Sequence, residues 1–303
     1  MDLTLRQLRM LREVSVRGTL AAAAASLGYT ASAASQQIAA LERATGQPVL
    51  ERVGRGVQLT DAGHALAAHA EEVLGKVEQA QAALETIGDA PTGTVRISTF
   101  ESFASALMPE VVSRLSVEHP GVTLRSTQLD PDVSLESLLA GAIDIALVLD
   151  YPHAPSPRPR GAHREIVLTE PFRLAVPDRH PLTGPVDLTT LTDEVFIAGT
   201  AESSCRRCVV GACREAGFEP RVAHEIDNLP ATLRLVAAGA GITLLPELAL
   251  HDRPPGVRLL ELTRPVQRSV EVAYREASSK RPTVRAVLDA IIDATSRAEL
   301  TAA

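Results

Sequence analysis

Three groups of residues in this 303-residue chain have types and spacings that suit chemistry. The first is Thr30, Ala31, Ser32, Ser35 and Gln36, all small or hydrogen-bonding and uncharged, with Arg52 and Arg55 close behind. A helix face that must approach base edges needs such side chains, while guanidinium groups lie along phosphates and position the contact. The second group is a pair of hydroxyl-rich stretches, Thr99-Phe100-Glu101-Ser102 and Gly199-Thr200-Ala201-Glu202-Ser203-Ser204, with Asp150 and Asp227-Asn228 as further candidates. If each stretch opens a helix, its amides and hydroxyls can hold a carboxylate or similar anion. The same hydroxyls can equally be simple helix caps, and Glu101 and Glu202 disfavour a strongly anionic ligand.

The third group is the entire cysteine content, Cys205, Cys208 and Cys213. Cys205 and Cys208 share a face at helical spacing, and the neighbouring Arg206 and Arg207 would depress a thiol pKa. That allows an oxidation-responsive reading beside the plainer one of small apolar side chains in a reducing compartment. A zinc site lacks a fourth ligand: His180 and His224 are present, but no second Cys-x-x-Cys or His-x-x-x-His is. We therefore expect no metal and no cofactor. Gly-x-Ser-x-Gly, His-Glu-x-x-His, P-loop and Gly-x-Gly-x-x-Gly patterns are all missing, so no catalytic residues are assigned and an enzyme is not expected.

The elements that must position the first group can be read locally. Thr19 heads a helix from Leu20 to Leu27, Gly28-Tyr29 makes a tight turn, and Thr30 heads a second helix ending near Arg43. Both threonines are good N-caps, and Gly28 suits the left-handed residue that closes a helix. Ala34, Ile38 and Leu41 form the stripe to be buried, which turns Ala31, Ser32, Ser35 and Gln36 outward. Arg52-Val53-Gly54-Arg55-Gly56 and a short strand to Thr60 then read as a hairpin wing. Residues 1–60 carry seven arginines against four acids, a net of +3 on a chain of −7. A basic end on an acidic protein is the asymmetry expected where one end meets phosphate.

The segments Leu5-Arg6-Gln7-Leu8, Gly18 to Ala24, Ser35 to Glu42, Gly46 and Arg52 to Gly63 together resemble the LysR-type transcriptional regulators. The likeness is dense over about 60 residues and looser to the C-terminus. It implies that the helix from Thr30 is the recognition helix and that Thr30, Ala31, Ser32, Ser35, Gln36, Arg52 and Arg55 meet DNA. The family usually has Gln at the position of Ala31 and often Pro at that of Ser32, so half-site preference does not carry over. Residues 1–60 are thus expected to form a winged helix-turn-helix.

Thr60-Asp61-Ala62-Gly63 starts another helix, with an acid where it complements the dipole. Leu66, Ala70, Val73, Val77, Ala80, Leu84 and Ile87 then alternate at four and three, an a/d seam of about three heptads. We expect 61–88 to be a linker helix that dimerises the chain and sets two recognition helices on a palindromic operator. A single amphipathic helix lying on its own domain is the alternative. The resemblance implies the same helix, commonly a dimer of dimers, with RNA polymerase as a further partner.

After the breaker Gly88-Asp89-Ala90-Pro91-Thr92-Gly93, the pattern becomes alternating strands and helices. Strands are expected at Val95–Thr99, Val122–Thr127, Ile143–Leu149, Phe172–Val176, Val195–Ala198, Val222–Ile226, Ile242–Leu245 and Val270–Tyr274. Helices are expected at Phe103–Glu118, Ser134–Ala140, Cys205–Ala216, Leu229–Ala238 and Pro282–Ala298. Apolar strands alternating with helices indicate parallel sheet covered on both faces. We therefore expect a two-lobed α/β effector domain over 93–303, like periplasmic binding proteins, with lobe one at about 93–155 and 266–303 and lobe two at about 163–265. A cleft between lobes would take a small-molecule effector at strand C-terminal ends, which nominates Thr99, Phe100, Ser102, Asp150, Thr200, Ser203 and Asn228. The resemblance points to the same junctions. No leader and no membrane-spanning run is visible, so a cytoplasmic protein without a membrane partner is expected.

Overall fold

The computed structural model describes residues 2–53, 56–85, 90–159 and 161–302. The N-terminal region is a three-helix core: α1 (Leu5–Arg17), α2 (Leu20–Ser26) and α3 (Ala31–Thr45). Helix α1 opens on a capping box in which Thr4 and Gln7 satisfy each other's backbone amides. Thr19 and Thr30 cap α2 and α3 as the sequence requires, and Gly28 takes φ 69° in the turn between them. Met10, Leu11, Val14, Ala23, Ala24, Ala34, Ile38 and Leu41 close the core. Alanines at 23 and 24 let α2 and α3 approach closely. The wing is the antiparallel pair β1 (Leu50–Val53) and β2 (Gly56–Leu59). Arg55, expected on its tip, lies outside the described residues.

The linker helix α4 (Asp61–Glu85) carries two stripes rather than one seam. Ala67, Ala70 and Leu74 are buried, and α4 packs along α1 of its own chain. Gly63 meets the wing so closely that a Cβ there would lie 2.1 Å from the Val49 carbonyl. Val73 is 42% exposed and Ala80 is exposed, whereas Leu66 and Val77 are half-buried. The side chain of Leu84, and Ile87, Gly88 and Asp89, lie outside what is described.

Beyond residue 90 the strands are β3 (Gly93–Thr99), β4 (Val122–Gln128), β5 (Ile145–Asp150), β6 (Ala162–Pro177), β7 (Val195–Ala198), β8 (Arg221–Glu225), β9 (Thr243–Pro246), β10 (Val257–Leu260) and β11 (Gln267–Arg275). The helices are α5 (Glu101–Ala106), α6 (Met108–Glu118), α7 (Pro131–Leu139), α8 (Ser204–Glu215), α9 (Leu229–Ala238) and α10 (Pro282–Ala302). The main sheet runs β10-β6-β11-β5-β3-β4, with β9 also on β6, while β7 and β8 form a second small sheet. The strand expected at Phe172–Val176 is the far end of the 16-residue β6. Its first part pairs with β11 and its last residues with β9 and β10, so one continuous strand ties the lobes together.

Two expectations are corrected here. Among the strands of the described residues, only β3–β4, β3–β5 and β7–β8 pair in parallel, beside two isolated parallel bridges; every strand pairing of β6 and β11 is antiparallel. An apolar strand reads the same in either direction, and only its partner fixes the sense. The helix expected from Phe103 to Glu118 is broken at Leu107, where α6 restarts with Pro109 in its first turn. Proline has no amide to donate and clashes with the preceding turn, so it begins a helix instead of continuing one. The final helix α10 returns to lobe one, burying Val284, Val287, Leu288 and Ile291 against β3 and α6.

The N-terminal region also touches lobe one. Arg12 on α1, nearly buried, donates to the carbonyl of Ala140 just past α7. A cation at a helix C-terminus meets unpaired carbonyls and the negative end of the dipole.

Candidate functional site

The outer face of α3 presents Ala31, Ser32, Ser35 and Gln36 to solvent, while Ala34, Ile38 and Leu41 point into the core. Thr30 Oγ1 accepts from the amide of Ala33 at 3.2 Å, so this hydroxyl is engaged at the cap. Glu42 holds the wing to α3 by accepting from the amides of Val49 at 3.0 Å and Leu50 at 3.2 Å. Arg52 stands exposed on β1. The result is a bare, uncharged helix face beside a basic hairpin, a shape that admits the helix to a major groove.

Between the lobes lies a cavity of about 410 Å³, within the usual range for small-ligand sites. Four of the residues nominated from sequence stand in its wall: Phe100, Ser102, Thr200 and Ser203. Three do not. Thr99 is buried behind the wall, its hydroxyl directed at the Phe100 carbonyl. Asp150 accepts from the amide of Ser156 at 2.8 Å and pairs with Arg158, fastening the Pro-rich loop. Asn228 caps α9 by accepting from the amide of Ala231 at 2.9 Å. Ser203, although in the wall, also caps α8.

The floor holds a group that sequence reasoning misses. Arg268, only 4% exposed, stands opposite Glu170 in the β11–β6 ladder. Its Nε donates to Glu170 Oε1 at 2.7 Å, its Nη2 to Ser102 Oγ at 2.9 Å and its Nη1 to the Tyr151 hydroxyl at 3.4 Å. The guanidinium also sits 5.3 Å from the centre of the Phe100 ring, within cation–π range. Burial, the largest single influence, opposes its charge, but the Glu170 carboxylate together with Tyr151 and Cys205 holds the pKa above the usual arginine value. Glu170 spends its other oxygen on the amide of Leu248 at 2.6 Å. Burial pushes the Tyr151 phenol up, keeping it a donor as well as an acceptor. A single arginine at the head of an apolar strand gives little warning in sequence; the signal appears only when β6 is laid beside β11.

Of the four carboxylates that line the cavity, Glu101 and Asp227 approach it from opposite lobes. Glu101, in the first turn of α5, accepts from the amide of Leu229 at 3.3 Å, across to lobe two. Its pKa is raised, by burial first and by the charge of Asp227 in addition. Asp227 accepts from the amide of Thr200 at 3.0 Å and from its hydroxyl at 2.6 Å. A side chain at Gly199 would disturb this bond, since a Cβ would lie 2.5 Å from Asp227 Oδ1 and 2.9 Å from Ser203 Oγ.

The cysteines behave differently from the expectation of depressed thiol pKa values. Arg206 turns to the Gly199 carbonyl and Glu225, and Arg207 to the Glu202 carbonyl. Burial pushes Cys205 up to about 11 and Cys208 and Cys213 up to about 12. Cys205 stands in the cavity wall, and Cys208 and Cys213 are core residues. Among the described residues, no three His, Cys, Asp or Glu side chains gather as a metal site would need.

Comparison with known proteins adds the following. Residues 5–64 match the family model "Bacterial regulatory helix-turn-helix protein, lysR family", and residues 88–296 match "LysR substrate binding domain". The chain is similar to the transcriptional dual regulator GltC of Bacillus subtilis, 32% identical over 253 residues and covering 83% of each protein. It is also similar to the regulator CfxR of Cupriavidus necator, 32% identical over 287 residues, covering 92% of this chain and 87% of the relative. Among solved structures, CbnR is matched over 95% of this chain and 100% of that one, at 25% identity and a TM-score of 0.56. A full-length OxyR of Pseudomonas aeruginosa gives a TM-score of 0.68 at 21% identity, covering 96% and 98% of the two chains.

Proposed function

Because the chain belongs to the LysR-type DNA-binding transcriptional regulators, which carry an effector-binding domain, we propose that the exposed face of α3 reads operator DNA and that the cleft binds the controlling small molecule. The observation that carries the first half is the uncharged, exposed row of Ala31, Ser32, Ser35 and Gln36 on a capped helix beside Arg52. Thr30 and Arg55 complete the DNA-meeting set, the latter from the sequence alone. The cavity wall at Phe100, Ser102, Thr200 and Ser203 supports the second half. Thr99, Asp150 and Asn228 belong to the supporting frame of that site.

A palindromic operator follows from pairing two such chains along α4, and Val73 and Ala80 remain outward for that purpose. A dimer, doubling to a tetramer, is the assembly we propose, with RNA polymerase as the downstream contact. Units at 1–60, 61–88 and 93–303 then act as reader, dimeriser and sensor. We assign no catalytic step to the chain: its relatives are regulators. Among the described residues no helix is long and apolar enough to cross a membrane, which fits a reader of DNA working in the cytoplasm.

The thiols argue for a small-molecule signal over an oxidative or metal one. A thiol held near 11 is a thiolate only on the order of one part in ten thousand at neutral pH, and the thiolate is the nucleophile and the ligand. The test is to combine Cys205→Ser, Cys208→Ala and Cys213→Ala and follow transcription of the divergently adjacent gene in a reporter strain. Induction should persist. Loss of induction in a variant that folds and binds DNA normally would transfer the sensing role to the cysteines.

A further inference from the structure

We propose that the effector carries a positive charge, an ammonium group held between Glu101 of lobe one and Asp227 of lobe two. The inference rests on the reading of the cleft as the effector site and names the chemistry that site selects.

Available charge decides the sign of the ligand. Four carboxylate residues line the cavity, Glu101, Asp130, Glu202 and Asp227, against two arginines, Arg206 and Arg268. Neither arginine has its charge to spare. Arg268 is neutralised by Glu170, and it also donates to Ser102 and Tyr151. Arg206 is drawn to the Gly199 carbonyl at 3.1 Å and to Glu225 at 2.8 Å. An incoming carboxylate would have to break one of these pairs or leave its own charge uncompensated in a partly desolvated site, and both are unfavourable. The N-terminal ends of α5, α7, α8 and α9 in the wall supply only partial positive charge, roughly half a charge each, and those of α5, α7 and α9 already have a carboxylate beside them in Glu101, Asp130 and Asp227.

Glu101 and Asp227 are in the opposite position. Glu101 accepts from the Leu229 amide and Asp227 from Thr200, all neutral donors. Among the described residues neither has a counter-cation. Both line the same cavity, and the bond from the Leu229 amide holds Glu101 beside the segment that carries Asp227. Each carboxylate can accept more bonds than it does, since two oxygens offer about four acceptor directions. An ammonium placed between them would supply three donors and remove their mutual repulsion. It would also join α5 to the β8–α9 connection, that is, lobe one to lobe two. The apolar remainder of such a ligand has Phe100, Leu149, Ile197 and Ile226 to lie against.

The experiment uses three five-carbon probes that differ only in their end groups: cadaverine, glutarate and pentanediol. Thermal unfolding of the full-length protein is followed with each at millimolar concentration. Cadaverine should raise Tm in a dose-dependent way, glutarate and pentanediol should not, and Glu101→Gln and Asp227→Asn should each weaken the cadaverine effect at least tenfold. If one variant fails to fold, the other carries the test. No cadaverine shift, or a shift unchanged in both variants, overturns the proposal. A glutarate shift that disappears when the cavity is filled by Ala249→Phe would refute the charge assignment while leaving the cleft as the effector site. Shifts by any probe that all survive Ala249→Phe would remove the cleft reading as well.

Discussion

The proposed DNA-reading face draws its side chains from one helix and one hairpin, and its described residues Ala31, Ser32, Ser35, Gln36 and Arg52 stand exposed. The cleft takes its wall from segments as distant as Phe100 and Arg268 and buries its central charge almost completely. In the first region, function lies in what is left bare: no carboxylate or bulky group interrupts Ala31, Ser32, Ser35 and Gln36. In the second the frame lies in what is paired, because Arg268 is tolerable only with Glu170, Ser102 and Tyr151 around it. A surface reader is therefore tuned by single side chains, whereas the cleft stands or falls as a network.

Three substitutions probe that contrast. The largest effect is expected in the network. Arg268→Met leaves Glu170 buried without its cation, which typically costs about 3–5 kcal/mol. On a domain of this size the loss lowers Tm by roughly 6–20 °C, measured by calorimetry on the full-length protein. Adding Glu170→Met should recover most of it, since an apolar pair fills the same space. A single variant as stable as the parent would mean that the pair is not the structural centre of the cleft.

Next is the reading face. Ser35→Glu sets a negative charge against phosphates and bases and should weaken operator binding at least about a hundredfold, some 2.8 kcal/mol, with oligomer state and Tm unchanged. Gel shift at fixed salt together with sedimentation checks both halves. Unchanged affinity would place the recognition surface elsewhere. The smallest effect is expected from Ala31→Gln, which adds an amide able to pair with adenine. It should alter preference at one base pair per half-site by about 1–3 kcal/mol and leave non-specific affinity untouched, as selection from randomised half-sites would reveal. If the base preference does not move, α3 is not seated with its N-terminal turn toward the bases.

Much of the reader and part of the cleft are legible in the amino-acid sequence. Thr19, Gly28 and Thr30 act through bonds to residues three or four positions away, so the helix-turn-helix follows from neighbours alone. The hydroxyl-rich junctions at 100–102 and 200–203 are legible too, because strand-to-helix transitions show in composition. Asp150 and Asn228 mislead for a related reason. Both stand at such junctions, yet their side chains serve the backbone beside them, and local sequence does not distinguish a cap from a ligand contact. Pro109 does carry its message, a helix start, but the apolar spacing of Leu107, Val111 and Leu115 masks the break. The thiols mislead because Arg206 and Arg207 are close in sequence but reach for carbonyls and Glu225 instead, while packing removes water from the sulfurs.

The sequence by itself determined the reader: its caps, its buried stripe and its bare face all lie within about one helical turn of the residues that fix them. Only the tertiary structure decided what the sensor contains. The antiparallel register that sets Arg268 against Glu170, and the approach of the lobes that brings Glu101 to Leu229 and Asp227, join residues about a hundred positions apart. Such pairings depend on which strands become neighbours and on how much water the core excludes, and neither is written in any short stretch of the chain.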